Sequence, residues 1–425
     1  MHQSKDRRKG EDPVSGKSTA RIKWFGIGMA CAGLIGVICL YFFASPPRDR
    51  SAAKALFDQG NTYLNVGQVG RAMDYYKKAI DRDPDFVYAY NGMGMAYRAT
   101  GDLARAEYYL LQALSLDRTV VDTYNNLGII YSESDRPEKA EAIYKQALSL
   151  DPNSAVMHYN LGAFYAQIGQ YSKAVEEYRN AVQLRRDLFQ AHNNLALSYI
   201  ALGKPREAIA EYEISLQLNP HQSRAYYNLG LVYAEEGQYE AAITYYRKAL
   251  QGKQNNPDIH YHLGLTYEGM QQEEQARGQY EKVLTLAPAH QQSHYRIGLL
   301  LARENRYREA VAYYEKAISL DPQYADARYN LGRAYMKLGM RAEAQREMEL
   351  FKKMSQYNKE KEHIGKILLY MPGDAAAHWK LGRIHEKYGQ YERAITAYRK
   401  ALTLRPGFGE ARRGLKEALQ RVQSL

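Results

Sequence analysis

Cysteine is almost absent from this chain. Cys31 and Cys39 are the only two, and both lie in one apolar stretch near the start. The remainder therefore carries no disulfide, no thiolate nucleophile and no cysteine metal site. Also missing are a glycine-rich phosphate loop and a serine–histidine elbow. The first two-thirds has no charge excess: residues 1–290 hold 32 basic and 32 acidic side chains, against 26 and 15 in residues 291–425. The net charge of +11 thus belongs to the C-terminal third. A chain balanced over most of its length lacks the continuous basic face of a nucleic-acid binder, so nucleic acid is not an expected partner.

Long hydrophobic runs are scarce too, with one exception. Trp24 to Ala44 is free of charge over 21 residues, about 31 Å as a helix, which matches a bilayer core of roughly 30 Å. Lys5, Arg7, Arg8, Lys9, Lys17, Arg21 and Lys23 precede it, whereas only Arg48, Arg50 and Lys54 come closely after it. That asymmetry predicts a cytoplasmic N-terminus. The expected layout is a basic tail over 1–23, a transmembrane signal anchor over 24–44 and a linker over 45–52. The remainder of the chain would be extracytoplasmic, on the periplasmic side of the inner membrane in a bacterium. Cleavage of the segment, giving a soluble secreted protein, is the alternative. Gly28, Ala32 and Gly36 form a small-residue face through which two anchors could pair as a homo-dimer.

Beyond the linker the chain repeats every 34 residues. Units begin at Ala53, Val87, Val121, Ala155, Phe189, Ser223, Pro257, Gln291 and Ala325, and a tenth begins at Ala375 after a 16-residue interruption. Within the third unit, Tyr124, Leu127, Gly128 and Tyr131 fall on a first amphipathic helix. Ala140, Tyr144 and Ala147 fall on a second, and Pro152 lies just beyond it. The eighth position of each unit is glycine, or alanine at Ala196, and the twentieth is always alanine. This pattern resembles the tetratricopeptide repeat over about four-fifths of the chain. The resemblance implies an all-α, right-handed superhelical solenoid of helix–turn–helix units. Nine are contiguous over 53–358, an inserted helix covers 359–374, the tenth covers 375–408 and a capping helix covers 409–425.

Turn chemistry agrees. First helices end near Gly67, Gly101, Gly169, Gly203, Gly237, Gly339 and Gly389, where a left-handed cap favours glycine. Asp135 and Asn305 tolerate that conformation; Gln271 fits it poorly and predicts a looser hairpin. The interruption reads either as an extra helix or as an extension of the preceding one, ended by Pro372-Gly373.

Arrays of this family line a concave groove with positions two, five, six, nine, twelve and thirteen of their units. Position six carries Asn126, Asn160, Asn194, Asn228 and Asn330. An amide both donates and accepts, which suits a peptide backbone. The long superhelix of O-linked N-acetylglucosamine transferase is similar here. Position five adds Tyr159, Tyr227, Tyr261, Tyr295, Tyr329 and Trp379 as amphipathic anchors. Toward the C-terminal end the groove positions turn basic, with Arg296, Arg303, Arg333, Lys337, Lys380, Arg383 and Lys387. They predict contacts with an extended, partly acidic partner segment. The two-carboxylate clamp of chaperone-binding members is not matched.

His260, His262, His290 and His294 are the nearest approach to a catalytic or metal cluster. Two of them occupy position four, where His158, His192 and His378 replace an aromatic residue, so packing accounts for them. No catalytic residue, metal site or cofactor is expected, and the chain is not expected to be an enzyme. The reading is a membrane-anchored scaffold or adaptor that binds proteins. A cytosol-facing, import-type receptor is the further alternative.

Overall fold

The computed structural model describes residues 49–252 and 255–424. The expected anchor at 24–44 lies outside them. Among the described residues no helix is long and apolar enough to cross a membrane, and every regular element is an α-helix, 21 in all.

Of the described residues, those through Gln170 form one compact unit. It contains α1 (Arg50–Asn65), α2 (Val69–Arg82), α3 (Val87–Ala99), α4 (Leu103–Leu116), α5 (Val121–Glu133), α6 (Pro137–Leu150) and α7 (Ala155–Gln167). The second unit starts at Tyr171. Its first helices are α8 (Tyr171–Leu184), α9 (Phe189–Ala201), α10 (Pro205–Leu218), α11 (Ser223–Glu235), α12 (Tyr239–Gly252), α13 (Pro257–Gly269) and α14 (Glu273–Leu286). It continues with α15 (Gln291–Arg303), α16 (Tyr307–Leu320), α17 (Ala325–Lys337), α18 (Arg341–Tyr370), α19 (Ala375–Lys387), α20 (Tyr391–Leu404) and α21 (Gly409–Gln423). Within each unit consecutive helices pack as antiparallel hairpins, and each hairpin packs on the next. The 34-residue register thus places a 13-residue and a 14-residue helix in nearly every repeat. Helix α1 begins inside the expected linker because the Asp49 carboxylate caps it, accepting from the Ala52 N–H at 2.9 Å.

The core of a repeat is a tyrosine laid over a glycine. Position 24 holds Tyr76, Tyr144, Tyr212, Tyr246, Tyr280, Tyr314 and Tyr398, all nearly or wholly buried. A Cβ added to Gly128, Gly230 or Gly298 would stand within 2.7 Å of the Tyr144, Tyr246 or Tyr314 ring respectively. The position-20 alanines, from Ala72 to Ala394, are fully buried.

Every expected left-handed cap is present. Asp135, Gln271 and Asn305 take φ of 55°, 59° and 60°, beside the glycines at 68° to 81°. The Gln271 turn is built like the others: its N–H donates to Glu268 O at 2.9 Å, and the next N–H donates to Tyr267 O at 2.9 Å. The looser hairpin expected there is not found.

The interruption after repeat nine is an extension, since α18 runs unbroken for 30 residues. Repeat ten grips it. The Tyr357 hydroxyl meets His385 Nδ1 at 3.0 Å, and Glu360 meets Lys387 Nζ at 2.8 Å. Beyond these contacts Leu369 and Tyr370 stand in solvent. Helix α21 then covers the end of repeat ten, burying Ala411 and Ala418 against the cluster around Tyr398.

Candidate functional site

Neighbouring repeats place their first helices side by side within each unit, and polar side chains cross between them. Asn91 Nδ2 donates to Thr123 Oγ1 at 2.7 Å, and Arg98 pairs with Glu133 at 2.6 Å. Asn160 Nδ2 donates to Asn125 Oδ1 at 2.7 Å. Asn330 donates to the Tyr295 hydroxyl at 3.1 Å and to Asp326 O at 2.9 Å. The asparagine row therefore already spends part of its capacity joining repeats. Asn126, Asn194 and Asn228 are half-buried on the same face.

The position-five aromatics are more structural than the sequence suggests. Tyr227 packs on Tyr246, Tyr261 on Tyr280 and Tyr295 on Tyr314, with ring centroids 5.7 to 6.0 Å apart. Tyr159 is likewise half-buried. Trp379 packs on Phe408. Tyr329 is the exposed member, its ring tilted against Phe351 and 5.7 Å from the Arg333 guanidinium.

The basic row divides into two sets. Arg296 is tied to the nearly buried Glu268 at 3.1 Å, Arg303 to Glu273 at 3.1 Å and Lys387 to Glu360 at 2.8 Å. The fold itself neutralises these three. Arg333, Lys337, Lys380 and Arg383 are exposed, and no carboxylate pairs with them among the described residues.

A cavity of about 280 Å³ opens on this face of repeats eight and nine. Leu299, Ala302 and Arg303 of α15, Tyr307 and Tyr314 of α16, and Asn330, Arg333, Ala334 and Lys337 of α17 line it. The Tyr314 hydroxyl is buried there with no hydrogen-bond partner. Burial pushes its pKa up, and the Arg333 and Arg303 charges pull it back.

The histidines do not converge on a centre. His260 Nδ1 meets Gln279 at 2.8 Å, and His290 caps α15 through Ser293. His262 sits among the Tyr227, Tyr246 and Tyr261 rings, and burial lowers its pKa. Among the described residues no group of three metal-ligating side chains is found.

Position four has a role that the sequence reading missed. Its side chain reaches back six residues to a carbonyl in the preceding turn. Tyr90 donates to Pro84 O, Tyr124 to Arg118 O, Arg328 to Pro322 O and Arg412 to Pro406 O. His158, His192, His294 and His378 do the same through Nε2. All eight distances lie between 2.9 and 3.2 Å. Tyrosine, histidine and arginine share one property here, an N–H or O–H at the far end of a long side chain. That shared donor was the signal available in the sequence.

Tetratricopeptide-repeat models match residues 193–257, 233–296, 298–339, 325–358 and 375–408. Residues 43–221 match the model of the cilia and flagella-associated protein 70 C-terminal domain. The chain belongs to the tetratricopeptide-repeat family. No curated protein matches it. Among solved structures it is similar to pilF of Pseudomonas aeruginosa, at 24% identity, covering 48% of this chain and 92% of that one, with a TM-score of 0.43. MamA of Desulfovibrio magneticus RS-1 is similar at 25% identity over 40% and 96%, TM-score 0.38. Yeast Tom70 is similar at 16% identity over 88% and 96%, TM-score 0.35.

Proposed function

We propose that this protein is a membrane-anchored, non-enzymatic scaffold whose first-helix face holds an extended, partly acidic segment of a partner protein. The observation that carries this reading is the set of four exposed, uncompensated cations: Arg333 and Lys337, which line the cavity of repeats eight and nine, and Lys380 and Arg383 on the first helix of repeat ten. Exposed cations without internal partners attract an acidic chain and speed its encounter. The amides of Asn194 and Asn228 suit the partner's backbone further along, each bond contributing about 0.5–1.5 kcal/mol net.

A photoreactive residue at position 337, on the first-helix face, should crosslink the partner in intact cells. The same residue in place of exposed Lys316 on a second helix should not. Arg333→Glu combined with Arg383→Glu should slow association several-fold and flatten its salt dependence, leaving dissociation little changed. Crosslinking from position 316 alone would place the binding surface elsewhere.

The anchor rests on the apolar run at 24–44 and the basic residues before it. Alkaline phosphatase fused after Leu425 in a bacterial host should be active. An inactive fusion, or a mature chain starting near Ser45, overturns that topology.

A further inference from the structure

Repeats seven and ten contain an arrangement that repeat eight lacks. In repeat seven the position-24 hydroxyl of Tyr280 donates to the position-12 carboxylate of Glu268 at 3.0 Å. In repeat ten the Tyr398 hydroxyl donates to Glu386 at 2.6 Å. The next repeat answers the first of these carboxylates, Arg296 meeting Glu268 at 3.1 Å. Tyrosine hydroxyl, carboxylate and cation thus form a chain across the stack.

In repeat eight position 12 is Ala302, so the carboxylate is gone while the rest remains. The Tyr314 hydroxyl is buried without an acceptor. Arg333 and Lys337 of the next repeat line the same cavity and have no carboxylate partner among the described residues. The space is open, since Ala302 itself is a lining residue and half-exposed. Repeats five and six also lack an acid at position 12 and leave the Tyr212 and Tyr246 hydroxyls unpartnered. Asn228 and the Arg224 charge act on Tyr212 and the neutral Thr266 on Tyr246, whereas at Tyr314 two unpaired cations line one cavity with the hydroxyl. A buried hydroxyl without an acceptor is costly, and two unpaired cations facing it supply the attraction.

We infer that the cavity of repeats eight and nine takes the carboxylate of an acidic side chain from an extended partner, set where Glu268 and Glu386 stand in repeats seven and ten. The inference rests on the reading of the first-helix face as the binding surface and names the group it selects. The chemistry favours a carboxylate: that is the group the fold itself places against this hydroxyl in repeats seven and ten. Leu299, Ala302 and Ala334 give an apolar wall for the methylenes of a glutamate.

The test needs no partner, so it fails or succeeds independently of the groove. With tyrosine rings isotopically labelled in the full chain, the Tyr314 resonance is identified by its loss in Tyr314→Phe. N-acetyl-L-glutamate α-amide should shift it saturably. N-acetyl-L-glutamine amide should act at least tenfold more weakly. Tighter saturation by N-acetyl-L-alanine would overturn the assignment in favour of a chain terminus, and tighter saturation by inorganic phosphate would overturn it in favour of a phosphoryl group. In a second arm, Ala302→Glu supplies the missing group in cis. It should raise the Tm by about 2–4 °C and abolish the glutamate response. Ala302→Gln should leave the Tm unchanged, and Tyr314→Phe should cancel the gain of Ala302→Glu. A lowered Tm in Ala302→Glu, or a Tyr314 resonance unmoved by the glutamate probe, overturns the inference.

Discussion

Gly230→Val is expected to cost about 3 kcal/mol and to melt one part of the molecule first. A Cβ at Gly230 would stand 2.7 Å from Cδ1 and Cε1 of Tyr246, and valine adds two methyls beyond it. The ring cannot retreat: it is fully buried, with Tyr227 and His262 packed against it. Overfilling a closed core forces off-rotamer side chains and backbone shifts, at the upper end of about 1–3 kcal/mol. Alanine is the milder control, because repeat five already carries Ala196 at this position opposite Tyr212. Each repeat rests on its immediate neighbours, so the loss should stay local. Amide exchange should accelerate in residues 223–252 and the adjoining hairpins, while residues 375–424 keep their protection. Uniform acceleration throughout the second unit would contradict this picture.

Stability should also fall with acidification, through His385. Its imidazole is nearly buried beneath Tyr357, and burial lowers its pKa to about 4, with the Arg393 and Lys361 charges adding to the effect. The unfolded chain restores an ordinary value of about 6.5. Between those values the unfolded state binds the extra proton, so stability rises with pH across the window. The contribution is complete above about pH 6.5 and is lost as pH falls toward 4. Its size is on the order of 2–3 kcal/mol. In His385→Gln the acid limb of the Tm profile should flatten over that window. The imidazole resonance of His385 in the native chain should titrate near pH 4. A midpoint near 6.5 would show that the ring is hydrated and refute the mechanism. Because Tyr357 sits on the extension of α18, the acid effect should appear first as loosening of that helix from repeat ten.

Most of the fold could be read in the sequence because its signals are local and repeated. The spacing of Gly128, Ala140 and Pro152 fixes helix lengths, and the same spacing recurs at every step. Gln271 misled because its residue type is a poor left-handed cap. Nine neighbouring copies of the hairpin impose the geometry regardless, as tertiary context overrides propensity. The continuous α18 was one of two readings that helical spacing alone could not separate. Side-chain partners were harder to foresee. Whether Arg296 faces a ligand or Glu268 depends on the rotation of one helix against the next, across 28 residues of sequence. The empty place above Tyr314 is visible only by comparing repeats in space, since an alanine at position 12 looks unremarkable in the sequence.

The hydrogen bond from position four to the turn six residues earlier bears on how such a chain changes over generations. Each donor and its acceptor lie on the two sides of one repeat boundary, and the reach is the same at Tyr124, His294 and Arg412. Removing or duplicating a 34-residue block between two such boundaries therefore rejoins a donor with an equivalent carbonyl. The joint is indifferent to which copies it unites. Lineages can lengthen or shorten the array by whole units while each unit's face drifts freely, so partner choice and array length evolve as separate variables.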